Sequence, residues 1–122
     1  MTRLNVSNKY HAKRTWSGLT QRWFDSRAEA VRGEELKLLE KAGEIFDLNY
    51  QVKFILSESP KATITIDFAY RLPDRIDLPD YAHPSARVQR VYEDVKGVLT
   101  RDFRTKLVWL KQKYGIEVKL IR

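Results

Sequence analysis

The stretch VYEDVKG, residues 91–97, decides how this chain is read. It begins as a strand should, with Val91 and Tyr92, then places Glu93, Asp94 and Lys96 almost side by side and stops at Gly97. Side chains alternate across a strand, so Tyr92, Asp94 and Lys96 share one face and Val91, Glu93 and Val95 the other. Asp94 and Lys96 therefore act together, roughly 6–7 Å apart along the strand, and Glu93 does not act with Asp94. Two readings fit such a segment: a solvated strand face, or a metal site that cuts nucleic acid.

The acid-X-Lys pattern alone does not separate them, because it also occurs at Glu35-Leu36-Lys37 and Glu117-Val118-Lys119. The first of these reads as helix, where residues two apart face different ways, and the second lies on the last strand. The middle copy differs because the strand before it, TITIDFAY (63–70), carries Asp67 among apolar residues and threonines. An acid there costs free energy unless it is solvated, paired or bound to a cation. If the two strands are neighbours, Asp67 and Asp94 converge on one ion, and two carboxylates with waters and a phosphate oxygen suit Mg²⁺ or Mn²⁺. Such an ion activates bound water and stabilises charge on a scissile phosphate, with Lys96 positioning the water or neutralising the transition state. The competing reading of Asp67 is a strand-end acid that caps or pairs with an arginine.

Outward from these strands the chain falls into a regular order. Residues 1–12 read as a basic, polar arm, and KRTWSGLTQRWF (13–24) as a hairpin turning at Ser17-Gly18. DSRAEAVRGEELKLLEKAG (25–43) reads as a helix: Ser26 is a good N-cap, Ala28, Val31, Leu38, Leu39 and Ala42 recur at helical spacing, and Gly43 is a natural stop. Strands follow at DLNYQVKFILSE (47–58) and, after Pro60, ATITIDFAYRL (62–72). Residues 72–90 read as a long proline-containing loop. RVYEDVK is the third strand, TRDFRTKLVWLKQKYG (100–115) a helix with Phe103, Leu107, Leu110 and Tyr114 on one face, and IEVKLI the final strand. The expected fold is α/β, one domain over 1–122, with an αβββαβ core in which a mixed central sheet is flanked by helices and preceded by a hairpin.

A third acid is offered by the first helix, and two residues compete for the place. Ser26-Arg27-Ala28-Glu29 fits the S-x-x-E capping box, in which Glu29 would bond the N-cap amide. Glu29 also lies at the edge of the apolar stripe, near Leu36, from where it reaches the sheet. Glu35 sits nearer the middle of that stripe, beside Val31, Leu38 and Leu39, and is a rival, or a buried acid paired with Arg32.

The bulk composition narrows the partners. The net charge is +7 and the pI about 9.7, which favours a polyanion, nucleic acid first. Basic residues cluster in the first third with Trp16 and Trp23 among them, a mixture that holds phosphates and stacks on bases, or equally anchors a hairpin. Lys13, Arg14, Arg22, Arg27 and Arg32 are the candidate DNA contacts there, joined by Arg87 and Arg90 in the long loop. The absence of cysteine excludes disulfides and thiolate metal sites. No apolar run is long enough for a transmembrane helix, and the N-terminus lacks the apolar core of a secretory signal.

Taken together, helix-Glu, strand-Asp, strand-acid-X-Lys and helix resemble the PD-(D/E)XK nuclease superfamily. NKYHAKR, FDSRAEAVRGEELKLLEKAGEIFDL, YQVKFIL, IDFAY and YEDVKG resemble a phage-encoded family of uncharacterised proteins within it, over about residues 8–121. The resemblance implies a restriction-endonuclease-like fold and a metal-dependent DNA endonuclease related to Holliday-junction resolvases and transposon-end nucleases. It carries the helix acid onto Glu29, the strand acid onto Asp67, the acid-X-Lys pair onto Asp94 and Lys96, an accessory polar residue onto Lys106, and a supporting role for the helix acid or substrate onto Gln51. Lys106 has a snorkelling surface lysine as its competing reading. The chain departs from the superfamily in three ways. Ile66 replaces the proline that often precedes the strand acid, Asp94 stands where many members have glutamate, and residues 68–93 make a long connection, either a substrate-facing flap or a surface excursion.

The implied substrate is branched or otherwise non-duplex DNA. The implied cofactor is Mg²⁺, with Mn²⁺ able to substitute, and the implied assembly a homodimer without membrane contact. The implied place is the cytoplasm of a phage-infected or prophage-carrying bacterium. The competing functions are a non-catalytic DNA-binding module on the same fold and a phage accessory protein whose acids are satisfied by arginines.

Overall fold

In the computed structural model, which describes residues 13–122, the aromatic and β-branched runs are strands and the two charged, leucine-containing runs are helices. The arm expected over residues 1–12 lies outside the described residues. A short antiparallel hairpin, β1 (Thr15–Ser17) and β2 (Arg22–Phe24), leads into α1 (Arg27–Lys41). Two long antiparallel strands follow, β3 (Phe46–Glu58) and β4 (Lys61–Leu72), then β5 (Gln89–Val95), α2 (Arg101–Tyr114) and β6 (Val118–Ile121). The sheet order is β3-β4-β5-β6, antiparallel except for the β5–β6 pair. That parallel pair is the one joined through a helix, as a parallel connection requires. The αβββαβ order, the mixed sheet flanked by helices and the preceding hairpin are thus those expected. Among the described residues no helix is long and apolar enough to cross a membrane.

Two cores hold the molecule together, one under each helix. Phe24, Ala30, Leu36, Ile45, Phe68 and Tyr70 form the first, with Val91 and Val95 packed on it. Leu56, Ile64, Ile66 and Leu110 form the second, with Tyr92, Phe103, Leu107 and Val118. On β5 the division follows simple alternation, odd residues to the first core and Tyr92 to the second. On β3 and β4 it does not. Ile64, Ile66, Phe68 and Tyr70 have the same parity, yet the first two belong to one core and the last two to the other. Tyr50 and Phe54 divide in the same way across β3. Both strands therefore exchange faces at Gln51 and Asp67, which lie between the paired residues Val52↔Ile66 and Tyr50↔Phe68. Gln51 accommodates the exchange with φ +53°, in the left-handed region that non-glycine residues rarely occupy.

One local expectation is corrected. The buried line of α1 runs through Glu29, Ala30, Gly33 and Leu36, while Val31 and Leu38 are exposed. The stripe is turned because Gly33 admits the Phe24 ring; a Cβ at Gly33 would stand 2.7 Å from Phe24 Cζ. The 72–90 connection contains a short 3₁₀ turn, Pro84–Arg87, and it leaves from the Leu72–Gln89 end of the β4–β5 ladder. Asp67 lies five residues from that end, roughly 17 Å away along the strand.

Candidate functional site

The β4–β5 ladder stops at the Phe68↔Glu93 pair, and beyond it two carboxylates take over the backbone's hydrogen bonding. The Asp67 N–H donates to Asp94 Oδ1 at 3.0 Å, and the Val95 N–H donates to Asp67 Oδ2 at 2.8 Å. Both acids are buried, Asp94 almost wholly. Lys96 Nζ lies 3.3 Å from Asp94 Oδ2 as an ion pair, but it is not aligned as a hydrogen bond. That buried oxygen has no hydrogen-bond donor among the described residues. Lys96 Nζ also sits over the Phe103 ring, 4.3 Å from its centroid, so α2 helps to hold the ammonium beside the acids.

The α1 N-terminus supplies the third acid. Ser26 caps the helix by accepting from the Glu29 N–H at 3.1 Å, which is half of the capping box. The Glu29 carboxylate does not return to the cap. It turns inward and accepts from Gln51 Nε2 at 3.2 Å, while the same amide reaches Asp67 Oδ1 at 3.3 Å. Gln51 thus bridges the helix acid and the strand acid at the point where β3 and β4 exchange faces. Glu35 is exposed and paired with Arg32 at 3.2 Å, so the structure brings Glu29 and not Glu35 to the other acids.

Glu29, Asp67 and Lys96 line an open cleft of about 610 Å³ together with Lys106, Thr63 and Thr65. The N-caps of both helices, Ser26 and Thr100, open onto it. Lys106 is half-buried at the rim and 3.4 Å from Asp102.

Burial and crowding set the protonation of the acids. Burial, reinforced by Asp67, Asp25 and Asp94, pushes the Glu29 carboxyl up to about 8. Burial and the Asp94 charge push Asp67 up to about 7, against the opposing Val95 N–H and Lys96. Burial also raises Asp94, with Lys96 holding it back. Like charges confined together in a partly desolvated place resist full ionisation until a cation arrives.

Several cations expected on DNA are engaged in the fold. Arg32 donates from Nε and Nη2 to the two oxygens of Glu93, each at 2.8 Å, and Tyr70 donates its hydroxyl to the same buried carboxylate. Burial raises Glu93, but Arg32 and Tyr70 outweigh it and hold the acid below its ordinary value. Arg32 is therefore a structural anchor between α1 and β5, a correction to its assignment as a phosphate contact. Arg22 lies on the inner face of the hairpin with its guanidinium 4.3 Å from the Tyr50 ring centroid. Lys13, Arg14 and Arg27 are exposed. Arg87 donates to the Arg75 carbonyl and Arg90 is exposed on β5, both at the end of the sheet away from the acids. The Arg32–Glu93–Tyr70 network was not anticipated; the signal available was a second acid, Glu93, on the strand face it shares with Val91 and Val95.

No curated protein and no solved structure matches the chain. A family does, over residues 7–121, described as "Protein of unknown function (DUF1064)", and a match of that extent means that the chain belongs to this family.

Proposed function

We propose that the protein is a divalent-metal-dependent endonuclease that hydrolyses phosphodiester bonds of DNA, selective for branched or non-duplex structure. The observation that carries this reading is that Glu29 from α1, Asp67 from β4 and Lys96 just beyond β5 line one open cleft on a basic protein, with Asp94 buried directly behind Asp67 and Lys96. Elements far apart in sequence deliver acids to a common place, where they are costly to keep unless they do something.

The residues fit a hard cation. All donors are carboxylate oxygens, the chemistry that Mg²⁺ and Mn²⁺ prefer, and Asp94 Oδ2 is buried without a hydrogen-bond donor. Among the described residues no three acids or imidazoles already stand as a ligand cluster. Asp67 and Asp94 would hold the ion, and Glu29 is the third oxygen donor at the cleft. When bound, such an ion lowers the pKa of coordinated water and stabilises charge on a phosphate. The chain's own part is to orient and to balance charge. Gln51 fixes Glu29 against Asp67, Lys96 carries positive charge beside Asp94 where a phosphate would enter, and the two helix N-termini favour an anion. A homodimer in the cytoplasm of a phage-infected or prophage-carrying bacterium is part of the same proposal. Light scattering of the purified chain tests the dimer, and a monomer at working concentration would remove it.

A second reading is a DNA-binding module without catalysis. It is favoured by the backbone N–H groups that already engage one oxygen each of Asp67 and Asp94. Incubation with four-way-junction, flap, single-stranded and duplex DNA in Mg²⁺, Mn²⁺ or EDTA, beside Asp94→Asn, separates the two. Metal-dependent cutting that the variant loses is the expected result. Binding without cutting under every condition selects the second reading.

A further inference from the structure

We propose that the exposed Trp16–Trp23 pair is a stacking platform for an unpaired nucleobase of the DNA received by the cleft. This deepens the proposed function and rests on it for the identity of the polymer. Trp16 and Trp23 are directly opposite one another on β1 and β2, with ring centroids 5.5 Å apart and planes at 62°. They remain 48% and 53% exposed, a large indole area to leave in water on so short a hairpin.

The bland explanation is that a cross-strand aromatic pair stabilises its hairpin. The other face of the same strands already does so. Phe24 is buried in the first core against Gly33, and Ser17, also buried, donates to Glu34 Oε2 of α1 at 2.6 Å. The hairpin is thus fastened from within, and the tryptophans face away from the fastening. Arg14 places its guanidinium 5.2 Å from the Trp23 ring centroid, and Lys13 beside it is exposed, so a cationic flank for phosphate adjoins the aromatic surface. The chain then passes from Trp23 through Phe24 to Asp25 and Ser26, which line the cleft. Two strand residues span roughly 6–7 Å, so the platform stands at the cleft's rim. A base inside a duplex has both faces covered by its neighbours, whereas an unpaired base offers a face to an indole whatever its sequence. The arrangement therefore selects for single-stranded character next to the acids.

The test uses the full chain carrying Asp94→Asn to prevent cutting and Trp109→Phe so that emission comes from the hairpin indoles. It is titrated in EDTA with oligothymidylate of about 12 nucleotides and with duplex of equal length. Single strands should quench the emission. Trp23→Leu should weaken single-strand binding about tenfold or more while duplex binding changes by less than about twofold, and Trp23→Phe should recover most of the loss. Unchanged single-strand affinity in Trp23→Leu, or equal losses on both polymers, would overturn the platform. If Trp23→Leu does not fold, the quenching decides, and saturation by single strands without quenching overturns it. The two proposals fail separately. Asp94-dependent cutting with a silent Trp23→Leu removes only the platform, and tryptophan-dependent binding by a protein that cuts nothing removes only the nuclease.

Discussion

Asp67 and Asp94 stitch their strands together reciprocally. The amide of Asp67 donates to the carboxylate of Asp94 at 3.0 Å, and the carboxylate of Asp67 takes the next amide along β5, that of Val95, at 2.8 Å. Each acid is held by backbone, so each is fixed in place before any ligand arrives, and pre-positioned groups lose little on binding.

Asp94→Asn keeps an oxygen that can accept from the Asp67 N–H while removing a charge and a metal ligand. Cleavage should fall by on the order of 10²–10³-fold, with DNA binding retained or strengthened and the fold intact. Lys96→Ala should also stop cleavage and weaken binding slightly. Gel assays of cutting and binding check both, and an Asp94→Asn variant that cuts like the parent would refute the placement of the site.

Without divalent ions, the protein should lose stability as pH rises. Glu29 at about 8 and Asp67 at about 7 hold protons in the folded state well above their ordinary values of 4.5 and 3.8. Between the ordinary and the raised values the folded state carries the extra protons, so stability declines with pH across that window. Glu93 has the opposite sign, but its window lies at lower pH. Thermal melts from about pH 5 to about pH 8.5 should show Glu29→Gln gaining on the parent by roughly 5 °C at the upper end. Parallel curves for the two proteins would contradict the shift.

Arg32→Ala leaves Glu93 buried and without its guanidinium partner. Breaking such a pair costs about 3–5 kcal/mol, so a large drop in denaturant midpoint is expected. Glu93→Gln should cost less, because the amide still accepts from Tyr70. Equal, small effects would mean that water replaces Arg32.

Gly33→Ala ordinarily strengthens a helix by about 1 kcal/mol, but here the added methyl meets Phe24 Cζ at 2.7 Å and Phe68 Cε1 at 3.3 Å. Overpacking of about 1–3 kcal/mol should outweigh the gain. Combined with Phe24→Leu the loss should be less than the sum of the single losses, as measured by a double-mutant cycle.

Glu117→Gln and Lys119→Ala test the third acid-X-Lys copy. Glu117 is exposed and paired with Lys111, at 2.9 Å, at the far end of α2, so both variants should cut normally. Loss of cutting in Glu117→Gln with the fold intact would move the site.

The order of elements was legible because each announces itself locally: Ser26 and Thr100 as caps, Gly43 and Gly115 as stops with positive φ, β-branched runs between. The alternation on β5 correctly separated Glu93 from Asp94. The buried face of α1 was not legible, because it passes through a glycine and an acid, and only the ring of Phe24, brought by the hairpin, gives Gly33 its place in the core. The choice of Glu29 over Glu35 followed from that same rotation. Gln51 as a support of the helix acid came from the resemblance alone; its bridge on to Asp67 depends on a left-handed backbone in mid-strand, which nothing in an ordinary β-rich run such as YQVKF signals. Arg32 was legible as a neighbour of Glu35 but not as the partner of Glu93, which lies 61 residues away.

The exchange of faces at Gln51 and Asp67 has an architectural consequence. An acid set into the middle of a single apolar interior would deprive that interior of a member, whereas here the carboxylates stand at the seam where one interior ends and the other begins. Neither is hollowed out to admit them. Changes that keep an accepting oxygen at these two positions can therefore alter the charge of the cleft without emptying either interior or unfastening β4 from β5.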